Sequence, residues 1–161
     1  MHGGDRSLNQ MDGGDGSDVL YAGNGGNAVN FMSGGVGDDA DDVAFGGDGA
    51  DIYRWAVSGD GSDTFHGGDA SGNIAGREGQ DRLVLDLDSL GGSGFQEAVE
   101  SGLISLSLID ADDNPVIITD DMWSQDQWGN EFLSLPEGCD GVITGQNGDT
   151  LTFTNVDVIS A

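Results

Sequence analysis

The sequence contains little of what usually holds a small domain together. Cysteine occurs once among the 161 residues, at Cys139, so the chain cannot form an internal disulfide. We expect Cys139 to be a buried or half-buried thiol and the fold to need another source of stability. Basic residues are also scarce, since 4 Lys and Arg face 30 Asp and Glu, a formal net charge of -26. A chain this acidic repels nucleic acids and anionic membranes, which excludes nucleic-acid binding as its function.

Long hydrophobic runs and catalytic motifs are absent as well. The apolar-rich run Leu103–Ile109 has the length of a strand, so the sequence predicts no insertion into a membrane. The start MHGGDRSLNQ lacks the apolar centre of a secretory leader and opens almost directly into a degenerate repeat, so we expect a piece of a longer protein. No zinc-protease, nucleophile-elbow, phosphate-loop or Cys–His pattern occurs. The sequence therefore predicts that this stretch is not an enzyme.

Disorder is the first alternative for so acidic a chain with few aromatics. Against it, the acids occupy fixed places in a repeat, and apolar residues recur beside them. The 30 glycines also follow that period, which is typical of tight turns rather than of a flexible linker. We expect disorder that a multivalent cation removes by cancelling the self-repulsion.

The repeat is a nine-residue pattern, G-G-x-G-x-D-x-U-x, in which U is a large apolar residue. Its clearest copies are GGDGSDVLY (13–21), GGDGADIYR (46–54) and SGDGSDTFH (58–66), and copies begin at 4, 13, 22, 34, 46, 58, 67 and 76. The sixth position, expected to supply a carboxylate, holds Asn9, Asp18, Asn27, Asp39, Asp51, Asp63, Gly72 and Asp81. The eighth, expected to be buried, holds Met11, Leu20, Val29, Asp41, Tyr53, Phe65, Ile74 and Leu83.

Three steps between copies are twelve residues long instead of nine. Apolar alternation continues from Tyr53 through Trp55 and Val57, and from Asp41 through Val43 and Phe45. Because side chains two apart share a face of a strand, these copies are predicted to carry longer strands.

The two halves of the repeat predict a structure and a ligand. The glycine-rich half turns the chain sharply and directs carbonyl oxygens to one point, and calcium is bound by six to eight such hard oxygens. The other half is a short strand with one inward apolar residue. The pattern predicts an all-β fold: a right-handed parallel β-roll over 1–84, with two copies per coil and calcium between turns. A β-rich C-terminal cap with one short helix is predicted over 85–161.

Residues 4–84 resemble the RTX (repeats-in-toxin) calcium-binding repeats of type I secreted bacterial proteins, such as serralysin-type C-terminal domains, RTX adhesins and toxins. The resemblance implies bound Ca²⁺, a secreted or cell-surface location and a Gram-negative source. By position, it implies carboxylate ligands from Asp18, Asp39, Asp51, Asp63 and Asp81. It implies carbonyl ligands from Gly13, Asp15, Gly16, Gly34, Gly46, Asp48, Gly49, Asp60, Gly61 and Gly79.

Some polar side chains of the repeat block are not expected to bind calcium. Those of Asp15, Asp48 and Asp60 are expected in solvent, and His2 and His66 are not expected to bind calcium, because imidazole suits it poorly.

If alternate copies stack on the same side, the two edges of the roll differ. One edge is predicted to carry Asp18, Asp39, Asp63 and Asp81, and the other Asn9, Asn27, Asp51 and Gly72. We therefore expect tight calcium binding on the first edge and weak or absent binding on the second.

After Asp81 the pattern changes, and the second half resembles the cap that closes RTX rolls. Ser93 and Gln96 predict a capping box for a helix over 94–101, with Gly102 behind it. A strand at 103–109, the turn DADDN and a returning strand at 116–119 predict a hairpin. Asn147-Gly148 predicts a second hairpin between 141–144 and 150–154. The end of the chain, 157–161, resembles the acidic-then-apolar tail read by type I secretion ABC transporters.

Trp123 and Trp128 leave two interpretations open. Exposed, they would stack on a sugar, and buried, they would plug the end of the roll; base rates for aromatic residues favour burial. The predicted function is a calcium-binding module that folds outside the cell and supports secretion of a larger protein. The alternative is an adhesin-type module that binds a surface or glycan through calcium and the Trp123/Trp128 loop.

Overall fold

A computed structural model describes residues 1–4, 8–25, 28–35, 37, 39–68, 73–74, 77–78 and 80–161. The described chain is mostly β-strand, with one α-helix, as predicted. Its first nine strands are β1 Leu8–Asp12, β2 Val19–Tyr21, β3 Val29–Ser33, β4 Val43–Phe45, β5 Ala50–Ala56, β6 Ser62–His66, β7 Asn73–Ile74, β8 Arg77–Glu78 and β9 Arg82–Asp86.

Successive strands of the repeat block alternate between two parallel runs. The odd strands pair in the order β1-β3-β5-β9, and the even strands pair in the order β2-β4-β6. Strand β13 (Thr150–Ser160) joins β9 to β6, which gives a nearly closed sheet of eight parallel strands. Equivalent positions on neighbouring strands are 21, 24 or 30 residues apart in the repeat block. Each run therefore advances by one strand for every two strands of sequence.

The apolar side chains of the repeats lie between the two runs. Burial of the eighth position is confirmed for Met11, Leu20, Tyr53, Phe65 and Leu83, and Tyr53 and Phe65 stack with ring centroids 5.3 Å apart. Trp55 and Val57 are buried too, so the longer strand predicted after Tyr53 is present as β5.

Two copies differ from this prediction. Val29 is half-buried and Asp41 is exposed, while Met32 and Ala44 are buried in their places. The three extra residues of these copies lie in the turn before the strand rather than at its end. Val43 and Phe45 consequently face outward, and Phe45 stacks between the rings of Tyr21 and His66.

The described residues of the copy that begins at residue 67 form no strand of the large sheet. Asn73–Ile74 and Arg77–Glu78 pair antiparallel as a separate two-stranded sheet. Strand β9 is consequently the next strand after β6 in the large sheet, and it pairs with β5. The prediction for Ile74 as a buried roll residue lies outside the described side chains.

The C-terminal region adds an antiparallel layer. Its elements are two 3-10 turns at Asp88–Leu90 and Asp120–Met122, α1 Phe95–Glu100, β10 Ser105–Ile109, β11 Trp123–Gln125, β12 Glu131–Thr144 and β13. The hairpin predicted around Asn147-Gly148 is confirmed as β12–β13, with Thr144 opposite Thr150.

Two local predictions for the C-terminal region are wrong. No side chain of its own caps α1; instead Glu131 of β12 accepts the Gln96 N–H at 3.0 Å, which replaces the predicted capping box. The DADDN turn forms and the returning chain meets β10 at an isolated bridge between Ile109 and Pro115, but the segment 116–119 is not a strand, and the strand partner of β10 is β12.

The hydrophobic core runs from the repeat block into the C-terminal region. Leu83, Phe95, Leu133, Phe153 and Ile159 are all buried in the same cluster. In the described ranges, no helix is long and apolar enough to cross a membrane.

Candidate metal site

One column of polar side chains crosses β1, β3, β5, β9 and β13, at the start of the first four strands and in the second half of β13. Its members are Asn9, Asn30, Asp51, Asp81 and Asp157. Asn9 Nδ2 donates to Asn30 Oδ1 and Asn30 Nδ2 donates to Asp51 Oδ1, both at 2.6 Å. The Asp51 N–H donates to Asp81 Oδ1 and the Asp81 N–H to Asp157 Oδ2, both at 2.9 Å. We call these five residues the first column.

A second column lies at the start of the even strands and consists of Asp18, Asp42 and Asp63. The Asp18 N–H donates to Asp42 Oδ1 at 2.7 Å, and the Asp42 N–H donates to Asp63 Oδ1 at 3.0 Å. The Tyr53 hydroxyl donates to Asp63 Oδ2 at 2.7 Å. In both columns, one carboxylate oxygen of each internal Asp thus holds the neighbouring coil in register.

The predicted division of acids between two edges is wrong at two positions. Asp81 lies in the first column because the copy at 67–75 adds no strand to the large sheet. Asp42 occupies the place predicted for Asp39, whose backbone is left-handed (φ 55°) three residues earlier in the turn. Asp18 and Asp63 share a column as predicted, and Asp51 lies in the other. Asn30 fills the position assigned to Asn27, and both Asn27 and Gly72 lie outside the described residues.

The glycines that open several copies lie directly against these carboxylates. A Cβ atom at Gly46 would lie 2.5 Å from Asp51 Oδ2 and would overlap the carbonyl oxygen of Gly67. A Cβ atom at Gly13 would lie 2.8 Å from Asp18 Oδ2 and would overlap the carbonyl oxygen of Gly34. Each glycine therefore leaves open a small cradle onto which one carboxylate oxygen and one backbone oxygen converge.

Buried carboxylate oxygens in the first column lack partners. Asp51 and Asp81 are fully buried, and within the described structure the Oδ2 atom of each has no hydrogen-bond partner. Burial raises the pKa of Asp51 to about 6, although the hydrogen bond from Asn30 lowers this pKa in part. Burial raises the pKa of Asp81 to about 9, and the neighbouring charges of Asp51 and Asp157 add to that rise. A buried oxygen anion without a donor fits a bound cation.

Asp63 is also buried and strongly perturbed. Burial raises the pKa of Asp63 to about 7, although hydrogen bonds from Tyr53 and Asp42 oppose the rise, and the charges of Asp42 and Asp60 contribute to it. Burial beside this carboxylate raises the pKa of the Tyr53 hydroxyl as well, so Tyr53 remains a hydrogen-bond donor.

The remaining sequence-predicted ligands lie in the turns. Asp15 and Gly16 are exposed, Asp48 is half-buried and Gly49 is buried. The Gly61 carbonyl accepts the Thr150 N–H at 3.1 Å. Gly79 lies outside the described residues.

The prediction that the Asp60 side chain lies in solvent is wrong. Asp60 is buried, with Oδ2 accepting the Ala56 N–H at 2.5 Å and Oδ1 accepting the Gly37 N–H at 2.8 Å. Asp60 thus stabilises the turn after β5 through the backbone.

The two histidines lie on the outer face, away from the columns. His2, Tyr21, Phe45 and His66 form a continuous ring stack across β2, β4 and β6, with centroid separations of 4.8, 5.0 and 4.8 Å. His66 Nδ1 lies 2.9 Å from Thr154 Oγ1. Both imidazoles therefore have a packing role.

The atoms that could bind a metal at the columns are all oxygen atoms. Among the described residues, no three His, Cys, Asp or Glu side chains gather into a metal-binding group. Each cradle instead combines a carboxylate with backbone carbonyls, all hard oxygen atoms of the kind that calcium prefers. No family model, no curated protein and no solved structure matches this chain. The case for a hard cation at Gly13 and Gly46 consequently depends on the carboxylate and carbonyl oxygen atoms that converge there.

Several column residues were missed by counting from the glycines. Asn30, Asp42 and Asp157 each stand two residues before a buried apolar residue, namely Met32, Ala44 and Ile159. This Asp/Asn-x-apolar signal is visible in the sequence. It holds for every member of the two columns, because the residue two positions later is apolar and buried in each case. Counting backward from the apolar residue would have found them, because turn length varies whereas strand geometry does not.

Proposed function

We propose that this chain is a calcium-binding RTX-type module that folds as a right-handed parallel β-roll when calcium binds outside the cell. In this role it supports type I secretion of a larger extracellular protein from a Gram-negative bacterium. The observation that carries the proposal is the pair of fully buried, unpartnered carboxylate oxygens of Asp51 and Asp81 in a chain of net charge -26. The resemblance of the repeats to RTX sequences supports the same conclusion.

The ligands of this proposal differ in part from those inferred from spacing. Asp18, Asp51 and Asp81 each place a carboxylate oxygen beside a glycine cradle, and Gly34 and Gly67 supply adjoining carbonyl oxygens. Asp42 approaches Gly34 in the same manner. Calcium bound at these points would supply positive charge opposite the buried carboxylates. The protein in turn supplies preorganised oxygen atoms and excludes water from them.

Calcium binding and folding are coupled in this mechanism. Without the cation, the buried carboxylates must be protonated or desolvated, so the unfolded chain is favoured at neutral pH. A site that is filled at a hundredfold excess of calcium over its dissociation constant stabilises the fold by roughly 2.7 kcal/mol. Three or four such sites would contribute on the order of 8–11 kcal/mol, which is comparable with the stability of a whole domain.

Export follows from the same coupling. In a calcium-poor cytosol the unfolded chain suits a narrow conduit, and the higher calcium concentration outside then drives folding. The tail at 157–161, proposed to be read by the ABC transporter, lies in β13 up to Ser160, and Val158, Ile159 and Ser160 are buried. The transporter would therefore read this tail before the domain folds.

A calcium titration followed by far-UV circular dichroism tests the proposal. We expect a cooperative coil-to-β transition with calcium and none with equimolar magnesium, whose smaller ion demands a tighter octahedral shell. The matched control is Asp15→Asn, which removes an exposed turn carboxylate and should leave the transition unchanged. A spectrum that is fully β-rich in chelator would contradict the proposal.

Trp128 supports a second candidate function, binding of a neutral saccharide. Its side chain is 77% exposed, on a turn in which Asp126 Oδ1 accepts the Trp128 N–H at 2.9 Å. Trp123, by contrast, is half-buried and packs edge-on against Phe95, with ring centroids 5.0 Å apart. The expected burial is therefore wrong for Trp128, and only one of the two indoles is free to stack on a sugar.

A cavity of about 690 Å³ adjoins the Trp128 turn and has the size of a small-molecule site. Its polar lining includes Arg54, Asp86, Asp88, Gln125 and Glu131. The planar end groups of these side chains suit hydrogen bonds to pairs of neighbouring sugar hydroxyls. The carboxylates outnumber the arginine, which disfavours anionic sugars. The column residues described above are not in this lining, so the saccharide would bind without a calcium bridge.

Binding of neutral oligosaccharides to the calcium-loaded chain tests this second candidate. Trp128→Ala should abolish binding, whereas Ile117→Ala, at a side chain that is 80% exposed elsewhere, should not. Unchanged binding by Trp128→Ala, or no binding to any neutral glycan on an array, would exclude the saccharide function.

A further inference from the structure

Strand β13 lies outside the repeats in sequence but takes a place among their strands. Its first half pairs with β6 over Thr150–Thr154, and its second half pairs with β9 over Val158–Ser160. Asn155 follows the first half directly. The Gly46 N–H donates to the His66 carbonyl at 2.8 Å, and one strand farther on the Gly67 N–H donates to the Thr154 carbonyl at 2.9 Å. Asn155 therefore occupies, next to Gly67, the position that Gly67 occupies next to Gly46.

We propose that the backbone carbonyl of Asn155 binds the same cation as the Asp81 carboxylate, so that this cation joins the C-terminal strand to the repeat block. This inference rests on the proposed calcium binding and adds to it a ligand from outside the repeats. It also assigns a function to Asn155, a residue that lies outside the glycine-rich repeats.

The surroundings of three glycines repeat the same arrangement. At Gly13 the converging oxygens are Asp18 Oδ2 and the Gly34 carbonyl; at Gly46 they are Asp51 Oδ2 and the Gly67 carbonyl. At Gly67 they are Asp81 Oδ2, 2.6 Å from the position of a Cβ atom, and the carbonyl of Asn155, which that atom would overlap. The junction thus has the same two oxygen types in the same places as the two cradles inside the repeats.

Asp81 provides an independent sign of a cation site at the junction. The residue is fully buried, and its Oδ1 atom accepts the Asp51 N–H at 2.9 Å. Its Oδ2 atom, on the side of Gly67, has no partner in the described structure. Asp157 adds a further carboxylate next in the column, where its Oδ2 atom accepts the Asp81 N–H at 2.9 Å. A bound cation would neutralise this run of negative charge.

The conformation of Asn155 holds its carbonyl at the cradle. Its backbone is left-handed (φ 56°), a region that Asn tolerates better than most other residues. Its N–H donates to Asp140 Oδ1 at 2.8 Å, and its Nδ2 atom donates to the Gly68 carbonyl. Both anchors fix the peptide, which leaves the carbonyl oxygen beside Gly67.

Carbonyl ¹³C chemical shifts of the labelled full-length chain test the ligand directly, with calcium chloride as the probe. In the calcium-loaded chain, the carbonyls of Asn155, Gly67 and Gly34 should share the downfield displacement of metal-bound carbonyls. The Thr154 carbonyl, which already accepts the Gly67 N–H, is the internal control and should lack it. A displacement at Gly67 and Gly34 without one at Asn155 would overturn this inference while leaving the proposed function intact. A chain that binds no calcium would overturn both.

A pair of matched variants tests the coupling between cation and strand. Asp81→Asn and Asp51→Asn each remove one buried carboxylate and keep its shape, so each should reduce the calcium stoichiometry in native mass spectrometry by one ion. Only Asp81→Asn should also accelerate amide exchange in β13, on the order of tenfold in saturating calcium. Equal acceleration of β13 in both variants, or in neither, would contradict a shared cation at the junction.

Discussion

Single buried carboxylates decide which state of this molecule is stable. Asp51, Asp63 and Asp81 lie inside the protein, where their charged forms lose hydration. A proton can neutralise each of them, and in the proposed function calcium would compete with the proton for the same oxygen atoms. Under that proposal, proton and calcium concentrations are linked variables for folding.

The metal-free chain should become more stable as the pH falls. The pKa values of Asp51, Asp63 and Asp81 in the folded state are about 6, 7 and 9, above the ordinary value near 4. The folded state therefore retains protons that the unfolded state has lost, and stability decreases as the pH rises from about 4 to about 9. In chelator, the far-UV β signal should be stronger at pH 5 than at pH 8.

Saturating calcium should reverse this trend, because binding requires the deprotonated carboxylates. The calcium-loaded chain is accordingly expected to gain stability toward pH 8 in urea unfolding. Stability that rises with pH in chelator would show that these carboxylates are not buried in the metal-free fold.

The roles of Asp39 and Asp42 can be separated by substitution. Asp42 is buried and holds the Asp18 N–H, whereas Asp39 occupies a left-handed turn position. Asp42→Ala should cost about 1–3 kcal/mol in calcium, because it leaves the part-buried Asp18 N–H without its acceptor. Asp39→Gly, which suits the positive φ, should be neutral or slightly stabilising in the same urea experiment. A larger loss at Asp39 would restore the ligand assignment made from spacing.

At the residue level, sequence reasoning found the column members whose turns have the standard length. Asp18, Asp51 and Asp63 follow the glycines at the repeat distance and stand where that distance predicts a buried strand. Asp42 and Asn30 were missed because three additional residues loop out before their strands, and loop length leaves no mark on apolar periodicity.

Among the elements, β13 has the largest effect on the fold. It continues both runs of the repeat block, pairs antiparallel with β12 and buries Leu151, Phe153 and Ile159. A solenoid end exposes strand edges and apolar side chains, and β13 covers both at once.

Ile159→Ala should destabilise the whole domain rather than its C-terminal region alone. The side chain is fully buried and opposes Leu83 of the last repeat, so its truncation should cost about 2–5 kcal/mol. Urea unfolding in calcium should show one shifted transition by both circular dichroism and tryptophan fluorescence. Val19→Ala, at a side chain that is 44% exposed, is the control and should shift the midpoint little. Two separate transitions would mean that the repeats and β13 fold independently.

The elements of the C-terminal region show what local patterns can predict. The Asn147-Gly148 turn and Gly102 (φ 77°) behind α1 fix their own backbone geometry and were found from sequence. The insertion of β13 between β6 and β9 was not found, because its partners lie 76 to 88 residues away and no local signal encodes such pairing.

The charge of the whole chain predicts a change in its size when calcium is added. With a net charge of -26, a metal-free chain should repel itself, and under the proposed function calcium would neutralise several of the buried charges. The radius of gyration should fall from about 42 Å for the unfolded chain to about 15 Å for a compact domain of this length. Small-angle scattering measures this change, with chelator in high sodium chloride as the control for simple screening. Full compaction by sodium chloride alone would show that no specific cation is required.

The place of Asn155 in β13 also makes the closed sheet depend on residues far downstream of the repeats. A copy that stops before residue 150 contains every glycine repeat, yet it leaves β6 and β9 with open edges and Asp81 without the carbonyl beside Gly67. Such a fragment would be left with an incomplete site and exposed edges, and would be open to proteolysis. Only a chain that includes β13 can therefore acquire the stability of the closed sheet.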